Sequence, residues 1–228
     1  MILGGLQKLT LLDFPGKVAC TVFTLGCNFR CGFCHNAPLV LTADTPPYDE
    51  EEFFRFLETR KGLLDGVAVT GGEPLLQKDI AAFLERIKSL GFSVKLDTNG
   101  AFPEKLRSLV NGGLVDYVAM DIKNAPEKYS LTAGCAIDIE AVKQSAAFLK
   151  SGTVPFEFRT TAVAELHTEE DFREIGRWLS GTEHYFIQQF TDSGNLVGEG
   201  FTQPDEATMK KYLQAAREHL PTASLRGV

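Results

Sequence analysis

Short runs rich in β-branched and aromatic residues alternate with stripes of helical period along most of this 228-residue chain. That alternation limits the fold more than any other feature. Runs of Val, Ile, Phe and Thr at 17–24, 66–70, 92–97, 115–122, 156–163 and 184–190 predict six strands. Between them, Ile80, Phe83, Leu84 and Ile87 recur at i, i+3, i+4 and i+7, which is one apolar helix face. Ile139, Val142, Ala146 and Leu149 form a second such stripe, Phe172, Ile175 and Leu179 a third, and Met209, Tyr212, Leu213, Ala216 and Leu220 a fourth. A shorter helix is marked by Phe53, Phe56 and Leu57 behind acidic Asp49–Glu52, and a weaker pattern covers 102–110. Strands and helices in alternation mean βα units and a parallel sheet. Periodicity does not separate an open doubly wound sheet from a barrel. Both carry their chemistry at the C-terminal ends of the strands, and the unusual residues of this chain gather there.

A net charge of −7 argues against a general binder of nucleic-acid backbones. No apolar run reaches the length of a membrane span, and no basic segment leads into a long apolar stretch at the N-terminus, so the expected compartment is the cytoplasm. In that reducing setting the five cysteines point to metal binding or catalysis rather than to disulfides. Without repeats or a long linker, residues 1–228 are expected to form one domain, with core βα units over 17–220.

Directly after the first predicted strand, Cys27-Asn-Phe-Arg-Cys31-Gly-Phe-Cys34 sets three thiols on one short loop, 26–36. Soft thiolates favour iron–sulfur clusters, zinc or Cu(I). A closed structural site takes four protein ligands, whereas this motif supplies three, and neither Cys20 nor Cys135 has the spacing of a fourth. A cubane on three thiolates leaves one iron open for chemistry. The alternative is zinc with His35 as fourth ligand, although adjacent residues such as Cys34 and His35 rarely both point at one ion.

The C-x3-C-x-aromatic-C pattern, with Phe33 as the aromatic, resembles the signature of the radical S-adenosylmethionine superfamily. The resemblance implies a partial (βα)6 TIM-like barrel of parallel strands. It implies one [4Fe–4S] cluster on Cys27, Cys31 and Cys34, whose open iron chelates the amino and carboxylate groups of S-adenosylmethionine. One electron then splits the sulfonium to a 5′-deoxyadenosyl radical, which needs a cluster at about −400 mV or below. Thr70-Gly71-Gly72-Glu73-Pro74, taken alone a strand-to-helix turn, resembles the family's "GGE" motif for the methionine amino group. Its glycines would let backbone approach a ligand closely. Asp97-Thr98-Asn99-Gly100 and Asp121-Ile122-Lys123 close the third and fourth predicted strands, and each alone is a solvated strand end or a turn. Together they resemble the glycyl-radical-enzyme activase branch, which implies Lys123 on the cofactor carboxylate and Asp97, Thr98 and Asp121 in the polar shell. In some members that shell holds a monovalent cation. Arg159 inside the fifth strand and Gln188 and Gln189 inside the sixth either contact the adenosyl portion or the partner or are structural, the charged Arg159 in a strand-end salt bridge, and both readings stand at this stage.

Cys20 reads as a small apolar core residue and Cys135 as a loop thiol without partners. His167, His184 and His219 have no fixed spacing to another ligand. The glycine-rich loop 194–200 is a surface loop or a lid at the catalytic end. Leu11-Leu-Asp-Phe-Pro-Gly-Lys17, the stretch from Phe23 to Cys31, His35-Asn36 and Leu225-Arg226-Gly227 resemble the activating proteins of anaerobic ribonucleotide reductases. That implies a glycyl-radical enzyme as protein substrate and a flavodoxin- or ferredoxin-type electron donor. No cysteine lies between Cys34 and Thr70, so a single cluster is expected. The alternatives are a small-molecule enzyme of the superfamily such as 7-carboxy-7-deazaguanine synthase, in which Asp-Thr usually follows the third cysteine, and a zinc-binding interaction module without catalysis.

Overall fold

All six β-branched runs are strands in the computed structural model, which describes residues 1–41, 45–192 and 194–227. They are β2 (Ala19–Thr24), β3 (Gly66–Gly71), β4 (Ser93–Thr98), β5 (Tyr117–Asp121), β6 (Phe156–Ala162) and β7 (Tyr185–Gln189), each parallel to the next. Two further strands flank them: β1 (Leu3–Thr10) runs antiparallel to β2, and β8 (Ser224–Arg226) pairs with β7. The strand order is therefore β1 to β8 in chain order, with β1 and β8 at the two edges. The fold is α/β with a mostly parallel sheet, the architecture the alternation predicts.

Among the described residues eight α-helices connect or flank the strands: α1 (Ala37–Leu41), α2 (Glu50–Glu58), α3 (Ile80–Ser89), α4 (Pro103–Asn111), α5 (Tyr129–Ala133), α6 (Ile139–Lys150), α7 (Glu169–Trp178) and α8 (Glu206–Arg217). Their starts are written in the sequence. Asp49, Asp138 and Asp205 accept backbone N–H bonds at the first turns of α2, α6 and α8. Thr168 and Asp171 form a reciprocal capping box on α7.

Strand register sorts the two faces of the sheet. Val22, Val69, Leu96, Val118, Phe158 and Ile187 point to one face and are fully buried in the main hydrophobic core. The other face carries Thr21, Lys95, Asp97, Asp121, Glu157, Arg159 and Gln188. A parallel sheet covered by helices on both sides would be apolar on both. Here one face is polar because it lines the cavity.

Candidate functional site

Each thiol of the cysteine loop is placed by a neighbouring element. On the β3 side, Gly72 N–H donates to Thr24 O at 2.9 Å and Glu73 N–H to Gly26 O at 2.8 Å. A Cβ on Gly72 would lie 2.0 Å from the Gly26 oxygen, and one on Gly71, whose φ is +121°, would lie 2.2 Å from the Thr24 nitrogen. These glycines thus permit a close approach to the protein's own backbone while also lining the cavity. On the α5 side, Arg30 N–H donates to Ala133 O at 2.8 Å. On the β7–α8 side, Gly198 N–H reaches Gly32 O at 2.7 Å and Val197 N–H reaches Cys34 O at 3.3 Å. The loop 194–200 is therefore a strap across the cysteine loop. Phe33 is wedged edge-on between Phe190 and Phe201, with ring centroids at 6.4 and 6.3 Å.

The thirteen residues singled out from the sequence as site candidates all line one cavity of about 340 Å³, which extends from Gln7 on β1 to Gln188 on β7. Their side chains are not equally available. Glu73 is fully buried, and its carboxylate accepts bonds from Thr98 Oγ1 (2.8 Å), Leu75 N–H (3.0 Å) and Asn99 N–H (2.7 Å). It ties the ends of β3 and β4 together. Burial pushes its pKa up to about 7 against the pull of these donors. The Thr98 hydroxyl, spent on Glu73, also accepts the Gly100 N–H.

Lys123 donates to Asp121 Oδ2 at 3.1 Å. Its own backbone oxygen is 2.9 Å from His167 Nε2, while Val163 N–H donates to His167 Nδ1. That assigns the proton to Nε2 and makes the buried His167 a brace under the Lys123 turn. Burial lowers the His167 pKa, keeping the ring neutral. The Arg159 guanidinium lies between Asp121 (2.9 and 3.0 Å) and Asp97 (3.3 Å). Burial alone would raise both carboxyl pKa values. Arg159, with Lys95 beside Asp97 and Lys123 beside Asp121, outweighs it and holds both well below the ordinary range. Arg159 thus forms the salt bridge that one of its two sequence readings expected, while still lining the cavity.

Cys135 is not without partners: its Sγ is 3.5 Å from Asn28 O, against the cysteine loop. The Asn99 side chain, legible only as half of a turn pair, donates to Asn28 Oδ1 at 2.8 Å and lies 3.9 Å from Cys27 Sγ. No local pattern signals either contact, since both join residues more than 70 positions apart. Cys20 is fully buried, as its apolar neighbours imply.

Burial raises the Cys27 thiol to about 11 and the Cys31 thiol to about 12, with Lys123 pulling both down. Loading a metal here displaces thiol protons. One tetrahedral ion would draw its sulfur ligands to about 3.8 Å from one another. Among the described residues no three His, Cys, Asp or Glu side chains converge in a way that could hold a single ion. Three soft donors on one braced loop, beside a cavity walled by charged groups, suit an iron–sulfur cluster by their chemistry.

Residues 21–179 match the model of the Radical SAM superfamily. Over the full chain the sequence is 32% identical to a Methanocaldococcus jannaschii protein named provisionally as a glycyl-radical enzyme activating enzyme, covering 96% of that protein. It is 30% identical to the 7-carboxy-7-deazaguanine synthase of Thermococcus kodakarensis over 45% of this chain and 48% of that one. In fold it is similar to Streptococcus suis SuiB bound to S-adenosylmethionine (TM-score 0.68, 15% identity), covering 90% of this chain and 49% of the SuiB chain.

Proposed function

The chain belongs to the Radical SAM superfamily, and on that premise we propose that it is a glycyl-radical enzyme activating enzyme whose protein substrate is an anaerobic ribonucleotide reductase. The observation that carries the reading is the gathering of the cysteine loop, the Gly71–Glu73 turn and the Asp97, Asp121 and Lys123 strand ends around one cavity. The full-length similarity to an activating enzyme supports the choice of substrate class, as does the absence of further cysteines between Cys34 and Thr70, which leaves thiols for one cluster. A flavodoxin- or ferredoxin-type donor, a cytoplasmic setting and a single domain over 1–228 belong to the same proposal.

Cys27, Cys31 and Cys34 would hold the [4Fe–4S] cluster. When bound, that group supplies the electron that cleaves S-adenosylmethionine to methionine and the 5′-deoxyadenosyl radical, which takes a hydrogen atom from the partner's glycine Cα. The chain's own residues bind and orient. The Lys123 ammonium, set by Asp121 and by the His167 brace, offers a point charge to the cofactor carboxylate. Glu73 fixes the β3–β4 end whose backbone borders the amino-group position. Phe33, locked between two aromatic rings, gives a rigid wall. The polar interior stays open until a partner loop enters, so exclusion of water and oxygen falls to the protein substrate.

The test is anaerobic reconstitution, reduction, and mixing with S-adenosylmethionine and an anaerobic ribonucleotide reductase. A glycine-centred doublet in electron paramagnetic resonance is expected. Cofactor cleavage without that doublet, for every glycyl-radical enzyme supplied, rejects the activase reading. A second reading draws on the partial similarity to 7-carboxy-7-deazaguanine synthase; turnover of a pterin-like substrate without any protein partner would favour it.

A further inference from the structure

Asp97 and Asp121, which in some activases belong to a shell around a monovalent cation, are already fully engaged in this chain. Lys95 Nζ sits on Asp97 Oδ1, and Arg159 Nη2 is 3.3 Å from Asp97 Oδ2. Arg159 also meets Asp121 Oδ1 through Nη2 (2.9 Å) and Nε (3.0 Å), and Lys123 meets Asp121 Oδ2 at 3.1 Å. Every oxygen of the two carboxylates therefore faces a side-chain cation. Sodium and potassium are hard ions that need several oxygen donors, and at each of these four oxygens a metal ion would have to compete with a side-chain cation already in place.

The charge count points the same way. In this ion-pair network four cations (Lys95, Lys123, Arg159 and Arg226) face three carboxylates (Asp97, Asp121 and Glu157), leaving one positive charge in excess, and a cofactor carboxylate on Lys123 would balance it. A bound metal ion would bring a further positive charge into a region where Lys95 is 1% and Arg159 15% exposed, with little water to screen the repulsion. Arg159 is also not free to swing aside. Its Nη1 lies 3.9 Å from Glu157 Oε1, and Glu157 is clamped by Arg226 of the edge strand β8 through two bonds of 2.9 Å.

We propose that Arg159 is a built-in counter-ion standing in place of a monovalent metal ion, so that neither the stability of this protein nor its affinity for S-adenosylmethionine depends on sodium or potassium. The affinity half rests on the cavity being the S-adenosylmethionine site; the stability half does not.

The experiment compares sodium, potassium and choline chlorides at equal ionic strength. It measures the thermal midpoint of the protein as purified and, by calorimetry, the Kd of the anaerobically reconstituted protein for S-adenosylmethionine. The wild type should give one midpoint, and Kd values within twofold, in all three salts. In Arg159→Ala the vacated position should become ion-dependent, with binding at least fivefold tighter in sodium or potassium than in choline and a midpoint that rises with the metal ions alone. Arg159→Lys keeps the charge and should stay indifferent. A wild-type midpoint or affinity that rises only with sodium or potassium overturns the proposal, and so does an Arg159→Ala protein that is indifferent to all three. Should Arg159→Ala not fold, the wild type and Arg159→Lys decide by the same criteria. Failure to bind S-adenosylmethionine in any salt counts against the proposed function, while the midpoints still decide the counter-ion.

Discussion

Replacing Gly134 by alanine should loosen the cysteine loop from a distance of more than a hundred residues. Gly134 closes α5 in the left-handed region (φ 68°, ψ 18°), where a non-glycine residue costs about 1–2 kcal/mol. A Cβ there would also lie 2.1 Å from the Arg30 carbonyl oxygen, against 3.4 Å for ordinary contact, so the Arg30 peptide has to retreat by the difference, about 1.3 Å. Overpacking of this kind adds about 1–3 kcal/mol. For a chain of this length each kcal/mol lowers the midpoint by roughly 2–4 °C, so the combined cost of about 2–5 kcal/mol gives an expected fall of about 4–20 °C. Arg30 sits between Cys27 and Cys31, and its N–H bond to Ala133 O is lost with the shift, so iron content after anaerobic reconstitution should fall as well. Gly152→Ala is the control. Its φ is 80° but nothing stands within 4 Å of the new Cβ, so it carries the backbone strain alone and should keep its iron. Equal midpoints and equal iron in the two variants would refute the claim that α5 braces the cysteine loop.

Cys31→Ala should abolish the brown absorbance of the reconstituted protein; an unchanged spectrum contradicts the ligand assignment. Lys123→Ala should weaken S-adenosylmethionine binding roughly 10- to 100-fold, the scale of a charge-assisted hydrogen bond, and equal affinity by calorimetry would remove Lys123 from the site. Burial pulls the Asp171 carboxyl up, but Lys128 and the Thr168 hydroxyl and N–H hold it below its ordinary 3.8. A depressed folded pKa gives stability that is complete above that ordinary value and is lost as pH falls through the folded one. The gap in urea midpoint between the wild type and Asp171→Asn should therefore narrow below about pH 4; a gap constant down to about pH 2 would show that the carboxylate charge is not what caps α7.

The six parallel strands were legible because their β-branched runs are bounded by turn residues. β1 was not, since Leu3-Gly-Gly-Leu-Gln-Lys-Leu-Thr10 carries two glycines and little β propensity. β8, with three residues, and α1 and α5, with five each, are too short for any period to register. In the candidate site, the residues with local signatures do line one cavity: the thiols, the Gly71–Glu73 turn and the acidic and basic strand ends. What escaped depends on tertiary contact. Lys95, Glu157 and Arg226 matter because register sets them beside Asp97 and Arg159. His167 supports Lys123 from 44 residues away. Gly71 and Gly72 have a second role that no local pattern shows. Both line the cavity, and each also packs so tightly on backbone atoms of Thr24 and Gly26 that a Cβ has no room.

The order of the strands in the sheet is the order in which the ribosome makes them. Each strand emerging from the exit tunnel finds its neighbour already in place, so the sheet can be laid down from one edge without waiting for distant partners. The thiol-bearing turn is complete once residue 34 has emerged, but its braces are made in stages, at 72–73, at 133 and finally at 197–198, so the last of them closes only late in synthesis. A nascent chain stalled before the strap therefore holds its thiol-bearing turn by the early braces alone.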